Sequence, residues 1–212
     1  MLFRSVSQSR YYAFTKTKIK EYKDSLIGDK FSIFVAGRES VNIQGETFVL
    51  DCTSGWAGRA SAVAGATTIN QLPSAKAYGQ YTGNLVESLD FADVLDLHKE
   101  GVISVYSTTN GPLIFGIRTL HPRQTSYYGK ANVMRVLAGV LKNVLGSVLE
   151  VMHTSAAADA SSRAAYETQL NSIINEYIGN RSLRPQSRAI VGEELNNDAV
   201  SKGGEVLTIA LS

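Results

Sequence analysis

His98-Lys99-Glu100 spells H-x-E, the half-motif in which an imidazole holds zinc and a nearby carboxylate shuttles the proton of the activated water. The other half, P-C-x-x-C, needs two cysteines, and Cys52 is the only one in the chain. His121 and His153 stand apart and complete no H-E-x-x-H. Asp90, Asp93 and Asp96 recur at i, i+3 and i+6, so a helix would line them along one face, where a hard cation could be imagined. Cation sites draw converging oxygens from loops, so the reading is a solvated face. Gly55-Trp56-Ala57-Gly58-Arg59 is glycine-rich but lacks the lysine and hydroxyl of a phosphate cradle, and neither G-x-G-x-x-G nor G-x-S-x-G occurs. No catalytic, cofactor-binding or metal-ligating residue is assigned, no cofactor is implied, and the chain reads as a non-enzyme. The alternative from a different class is an α/β enzyme whose catalytic residues are dispersed in sequence. It predicts a deep pocket with perturbed titrating groups.

Cys52 follows Phe48-Val49-Leu50, which reads as strand, and no basic cluster adjoins it to lower its pKa. It reads as a small buried hydrophobe that makes no internal disulfide, consistent with a reducing compartment. The start Met1-Leu2-Phe3-Arg4 lacks the apolar core of about 7–15 residues of a secretory signal, and no run approaches about 18 apolar residues. The expectation is a soluble chain made inside the cell. Its 212 residues, 44% hydrophobic and 19% charged, suffice for one large domain or two small ones, and a net charge of +2 points to neither nucleic acid nor membrane.

The elements follow from periodicity. Residues 1–30 read as a basic N-terminal arm or helix, with Arg4, Arg10, Lys16, Lys18, Lys20 and Lys23 interleaved with aromatic and aliphatic residues. Its cations are either solvated or laid on a neighbour's acidic surface. Residues 31–212 read as one α/β (α+β) domain, a mixed sheet flanked by helices. Residues 31–35, 39–43 and 47–50 read as strands, the last two joined by a tight turn at Gln44-Gly45. The small residues of 54–67 predict a close-packed helix, 70–84 a loop, and 88–100 a helix capped by Ser88 and stopped by Gly101. Residues 102–106 and 113–120 form a strand pair. A helix over 131–152 carries an apolar stripe from Val133, Val136, Leu137, Val140, Leu141, Val144, Leu145, Val148 and Leu149. Ser161 and Ser162 are candidate caps of a further helix ending at Gly179. Residues 188–191 read as strand, 193–204 as polar loop and 205–211 as a last strand.

Four stretches in order resemble the conserved C-terminal region of contractile tail sheath proteins. Gly101-Val102-Ile103 leads into a strand ending Phe115-Gly116-Ile117-Arg118-Thr119-Leu120, where Gly116, Arg118, Thr119 and Leu120 match the family's W-G-A-R-T-L and Phe115 stands in place of the tryptophan. Asn132-Val133-Met134-Arg135-Val136-Leu137 is similar to its N-V-R-R-L helix start. Glu193-Glu194-Leu195-Asn196-Asn197 is similar to its acidic residue and Asn-Asn loop, and residues 203–209 to its penultimate strand. The resemblance covers residues 70–212, and since sheath proteins are generally longer, the chain is read as a compact relative or one segment of a longer sheath polypeptide.

The resemblance implies a structural subunit that polymerises with itself as hexameric rings around a tail tube, with tail tube protein, baseplate and tail terminator as partners. It implies a place in the virion tail after synthesis in the host bacterial cytoplasm, or in the sheath of a bacteriocin or type six secretion system. It also implies extended terminal arms that add strands to neighbouring subunits. Residues 203–212 are the candidate strand, with Val206, Leu207, Thr208, Ile209, Ala210 and Leu211 pairing across subunits, because Leu207, Ile209 and Leu211 would otherwise leave an unpaired apolar edge. Arg135, Lys142 and Arg163 are the candidate contacts to the tube or a neighbour, chosen as charged, exposed helix positions.

Overall fold

The structure, a computed structural model, describes residues 4–7, 14–26, 28, 30–151, 160–192, 196 and 209–211, with only the backbone of 4–7 and 149–151. The chain divides into two compact units, residues 2–135 and 136–212.

The first unit is built on β2 (Ser32–Ala36) and β6 (Val102–Thr108), parallel neighbours in a four-stranded sheet of order β1-β2-β6-β7. β1 (Arg4–Ser7) runs parallel to β2, and β7 (Gly111–Phe115) antiparallel to β6. Continuous apolar runs suit central strands, which are covered on both faces. Alternation then divides each run between two cores. Ile33, Val35, Ile103 and Val105 pack with Trp56 and Ala60 of α2 (Thr53–Ala66). Phe34, Ala36, Val102 and Tyr106 pack with Ile19 of α1 (Lys16–Asp24) and with Val94 and Leu97 of α4 (Phe91–Lys99).

A second, antiparallel sheet has the order β4-β3-β5, formed by β3 (Arg38–Ile43), β4 (Glu46–Asp51) and β5 (Asn84–Glu87). Gln44 and Gly45 both have positive φ, 55° and 91°, as a two-residue hairpin turn of the twist-matched type requires.

In the second unit, α6 (Ala160–Gly179) buries Arg163, Tyr166, Leu170, Ile174 and Tyr177 along one face. Asn171 treats Ala189 as a strand would, its amide donating to the Ala189 carbonyl at 3.0 Å and accepting from its N–H at 2.9 Å. This holds β8 (Ala189–Ile190), which pairs antiparallel with β9 (Ala210–Leu211). α5 (Ala131–Val151) crosses the boundary between the units.

The mixed sheet with flanking helices is the expected fold class, but several expectations are corrected. The N-terminal segment holds a basic helix, α1, as expected, and it packs in the first unit: β1 extends the sheet and Ile19 is fully buried, because Phe14, Ile19, Tyr22 and Leu26 offer one apolar side. Residues 70–84 are not a plain loop, since they contain a helical turn, α3 (Ala75–Tyr78), and reach β5, whose strand form depends on pairing with β3. The strand expected over 113–120 ends at Phe115, where Gly116 turns the backbone at φ 126°. Asp90, not Ser88, occupies the N-cap of α4; the Ser88 hydroxyl accepts from the Ser107 N–H at 2.7 Å. Ser161 and Ser162 lie within α6, which is already helical at Ala160.

Close packing of α2 rests on Trp56, Ala60 and Val63 and on Gly55, where a Cβ would collide with the Tyr81 ring, whereas a side chain added at Gly58 or Gly65 would meet open space. The buried side of α5 keeps part of the predicted stripe. Val136, Val140 and Val144 of the stripe are buried, together with Met134, Ala138 and Ser147 beside it, while Leu141 and Leu145 are exposed. Of the terminal strand, Val206, Leu207 and Thr208 fall outside the described residues. Ala210 and Leu211 pair with Ile190 and Ala189 of their own chain along one edge.

Candidate assembly surface

The residues whose types suggested chemistry sit in structural positions. Cys52 is fully buried at the N-cap of α2, its N–H donating to the Gly37 carbonyl at 3.0 Å, and burial pushes its thiol up to about 12. A thiolate is therefore scarce at neutral pH. A thiol-specific reagent at pH 7 should leave the folded protein unlabelled and label one equivalent after denaturation; stoichiometric labelling of the folded chain would contradict the burial. His98 is half-buried with its ring edge-on to Phe115 at 5.2 Å. Burial, and then the charge of Arg118, lowers its pKa. His121 accepts at Nδ1 from the Arg123 N–H at 3.1 Å, and His153 lies outside the described residues. Among the described residues no group of three or more His, Cys, Asp or Glu side chains could hold a metal ion. A cleft of about 220 Å³ lies between Lys23, Leu26, His121 and Gln124. It is smaller than the roughly 300–1,000 Å³ of small-molecule sites. Lys23 and Glu100, which also line it, bond each other at 3.5 Å.

The acidic face of α4 is not simply solvated. Asp93 and Asp96 bond Lys16 at 2.6 and 3.3 Å, and Glu100 bonds Lys20 and Lys23 at 3.6 and 3.5 Å. The acidic surface that the basic N-terminal helix meets is thus in its own unit. The Lys16 pKa is raised by Asp93 and then Asp96, and the Asp96 pKa is lowered by Lys99 and then Lys16. The Asp96 contribution is lost as pH falls through the carboxylate range, and the Lys16 contribution as pH rises through the lysine range. Both are in force between these limits. Exposed pairs contribute little. Lys16→Ala should therefore leave the unfolding midpoint nearly unchanged, whereas Ile19→Ala should cost about 2–5 kcal/mol by chemical denaturation. A large loss from the lysine variant would show that charge, not burial, holds α1.

The three charged contact candidates do not form one surface. Arg135 is half-buried, and its guanidinium donates to the carbonyls of Gln71 and Ala60, both at 3.4 Å, tethering the start of α5 to the middle of α2 and the loop beyond that helix. Arg163 is buried in α6. Only Lys142 has the exposure on which the choice rested. A charge read from sequence carries no helix phase, and Arg135 and Arg163 fall on the inner side.

The motif at Gly116, Arg118, Thr119 and Leu120 has an architectural role. Arg118 donates to the Gln124 carbonyl, the Thr119 hydroxyl donates to the Tyr128 carbonyl at 2.6 Å, and the Thr119 N–H donates to the Gly129 carbonyl at 3.1 Å. The Leu120 N–H reaches the Ser32 carbonyl at 2.8 Å, and the Ala131 N–H the Ile117 carbonyl at the same distance. These bonds close residues 117–131 into a loop that launches α5 and holds a 3-10 turn at Tyr127–Gly129. The exposed rings of Tyr127 and Tyr128 were not singled out in sequence, nor was the exposure of Phe48, Val49 and Leu50 on β4.

No family model matches the chain, and no curated protein does. Solved structures do. The sheath complex of an extracellular contractile injection system (PVC) in contracted state has a TM-score of 0.80 at 10% identity, over 99% of this chain and 59% of that one. The baseplate of the anti-feeding prophage contains a chain with a TM-score of 0.78 at 10% identity, over 99% of this chain and 55% of that one. The sheath tail protein of Desulfitobacterium hafniense gives 0.57 at 17% identity, over 78% and 39%. This chain therefore has the fold of contractile sheath proteins and spans little more than half the length of the first two chains.

Proposed function

We propose that the chain is a structural subunit of a contractile sheath. Copies polymerise head to tail as stacked hexameric rings around an inner tail tube, and a switch between two subunit arrangements, released at the baseplate, shortens the sheath and drives the tube through a target envelope. The tail tube protein, baseplate and tail terminator are its partners, and neither nucleic acid nor membrane is among them. The particle is made in bacterial cytoplasm, and it is a phage tail or a related device such as a bacteriocin, a type six secretion system or an extracellular injection system. The observation that supports this reading is the likeness to sheath chains along nearly the whole of the described fold. The motif at 116–120 supports it too, since Arg118 and Thr119 spend their side chains on backbone carbonyls of the loop they close.

Strand addition by residues 203–212 belongs to the same proposal. In a two-stranded ribbon each strand has one backbone edge engaged, so β9 can take a neighbour's strand on the other. Lys142 is the exposed helix cation retained as a tube or neighbour contact, while Arg135 and Arg163 act from inside. Negative-stain microscopy of the purified chain should show tubes or rings, and deletion of 203–212 should abolish them. A monodisperse monomer at every concentration would overturn the sheath reading, and tubes from the deleted chain would overturn the role of the segment.

A further inference from the structure

β4 is an edge strand with no partner on its outer side among the described residues. Phe48, Val49 and Leu50 are 43%, 40% and 42% exposed. Phe48 and Leu50 project to one face and Val49 to the other, so the strand is apolar on both. Proteins usually blunt such an edge with lysine, proline or a bulge. Glu46–Asp51 contains no lysine or proline, and the irregularity in this sheet lies on the β5 side, at Arg38/Glu39. The strand is instead bracketed by two acids, Glu46 and Asp51. Two copies of β4 laid antiparallel would bring Glu46 of one toward Asp51 of the other, and like charges opposite each other oppose that pairing.

The 3-10 turn has the complementary character. Tyr127 is 68% and Tyr128 46% exposed, with the Lys130 ammonium 5.3 Å from the first ring and the Lys30 ammonium 4.8 Å from the second. Lys30 precedes β2 and β3 follows it, so the two surfaces flank opposite ends of β2, a strand of five residues or about 17 Å. A contact between them therefore needs two copies.

We infer that the β4 edge of one copy docks on the Tyr127–Lys130 turn of the next. Phe48 and Leu50 cover the tyrosine rings, and Glu46, which shares their face, meets Lys130. The contact is heterologous, with different surfaces at the two ends of one unit, so it propagates. It rests on the sheath reading for its setting, where it joins successive subunits beyond any exchange of terminal strands.

The test uses two full-length variants, Phe48→Cys and Tyr127→Cys, mixed and oxidised, with disulfide-linked species resolved without reductant. Cys52 is buried and takes no part. The mixed dimer should exceed either self-linked dimer by about tenfold, the order of one close charge pair. Lys130→Glu in the Tyr127→Cys chain should remove that excess, and Glu46→Lys in the Phe48→Cys chain should restore it. All four positions are exposed, so folding is spared. No excess of mixed dimer, dominance of the Phe48→Cys self-linked dimer, or failure of the charge exchange to restore linkage each overturns the contact. Tubes without linkage leave the sheath reading standing and remove the contact; linkage without tubes does the reverse.

Discussion

Phe34→Ala loses about 3–5 kcal/mol of stability, read as a lowered urea midpoint with little change in slope. Phe34 is fully buried in the middle of β2, aligned with Val102 on β6, and its ring lies 5.8 Å from that of Tyr22 on α1. It touches the face where α1 and α4 meet the sheet, so truncation empties space shared by Ile19, Leu97 and Leu120. Small relaxations cannot refill it, because β2 is held in register by strands on both sides. A total stability of about 5–15 kcal/mol is typical, so this variant stands near the folding threshold. Phe34→Leu, which conserves most of the volume, should cost less than half as much. Equal losses from the two variants would mean that the ring's contact with Tyr22, not the filled volume, stabilises this face.

The strand core was legible because β2 and β6 combine continuous apolar runs with flanking glycines, and that pattern suits only strands covered on both faces. The same rule failed for exposure on β4. Ser-Ile-Phe-Val-Ala and Thr-Phe-Val-Leu look alike as runs, yet the first is central and the second an edge. A strand's place in a sheet depends on pairing partners far along the chain, which a local window does not contain. The hairpin turn at Gln44-Gly45 was legible because its positive φ values are a local demand. β5 was not, because its strand form comes from pairing with β3. Charge patterning likewise located the basic helix but not its acidic counterpart, since Lys16 and Asp93 are brought together only by the fold. The candidate site divided in the same way. The order of Gly116, Arg118, Thr119 and Leu120 carried the family resemblance, and the structure supplies its physical content as a loop closed by its own hydrogen bonds. The exposed tyrosines of that loop could not be ranked above the chain's other tyrosines by sequence.

Gly116→Val should cost about 3–5 kcal/mol, combining roughly 1–3 kcal/mol of backbone strain with a comparable term for overpacking. Gly116 has φ 126°, a region that a β-branched residue avoids. A side chain there would start 3.0 Å from the Ile103 Cα and 3.1 Å from the Val102 carbonyl oxygen, backbone atoms of the central strand that cannot swing aside. The two terms arise from different atoms, so Gly116→Ala should recover part of the overpacking loss and little of the strain. Any variant that folds must redirect the chain after Phe115, and that moves Arg118 and Thr119 away from the carbonyls of Gln124 and Tyr128. The tyrosine turn would then lose its placement even where the sheet persists. Gly116→Ala is therefore expected to lower linkage between the β4 edge and the Tyr127–Lys130 turn by more than its stability loss accounts for, measured at a temperature where both proteins are fully folded by circular dichroism. Linkage equal to that of the parent, in a folded variant, would show that the turn holds its place without the motif and that Gly116 serves only the sheet.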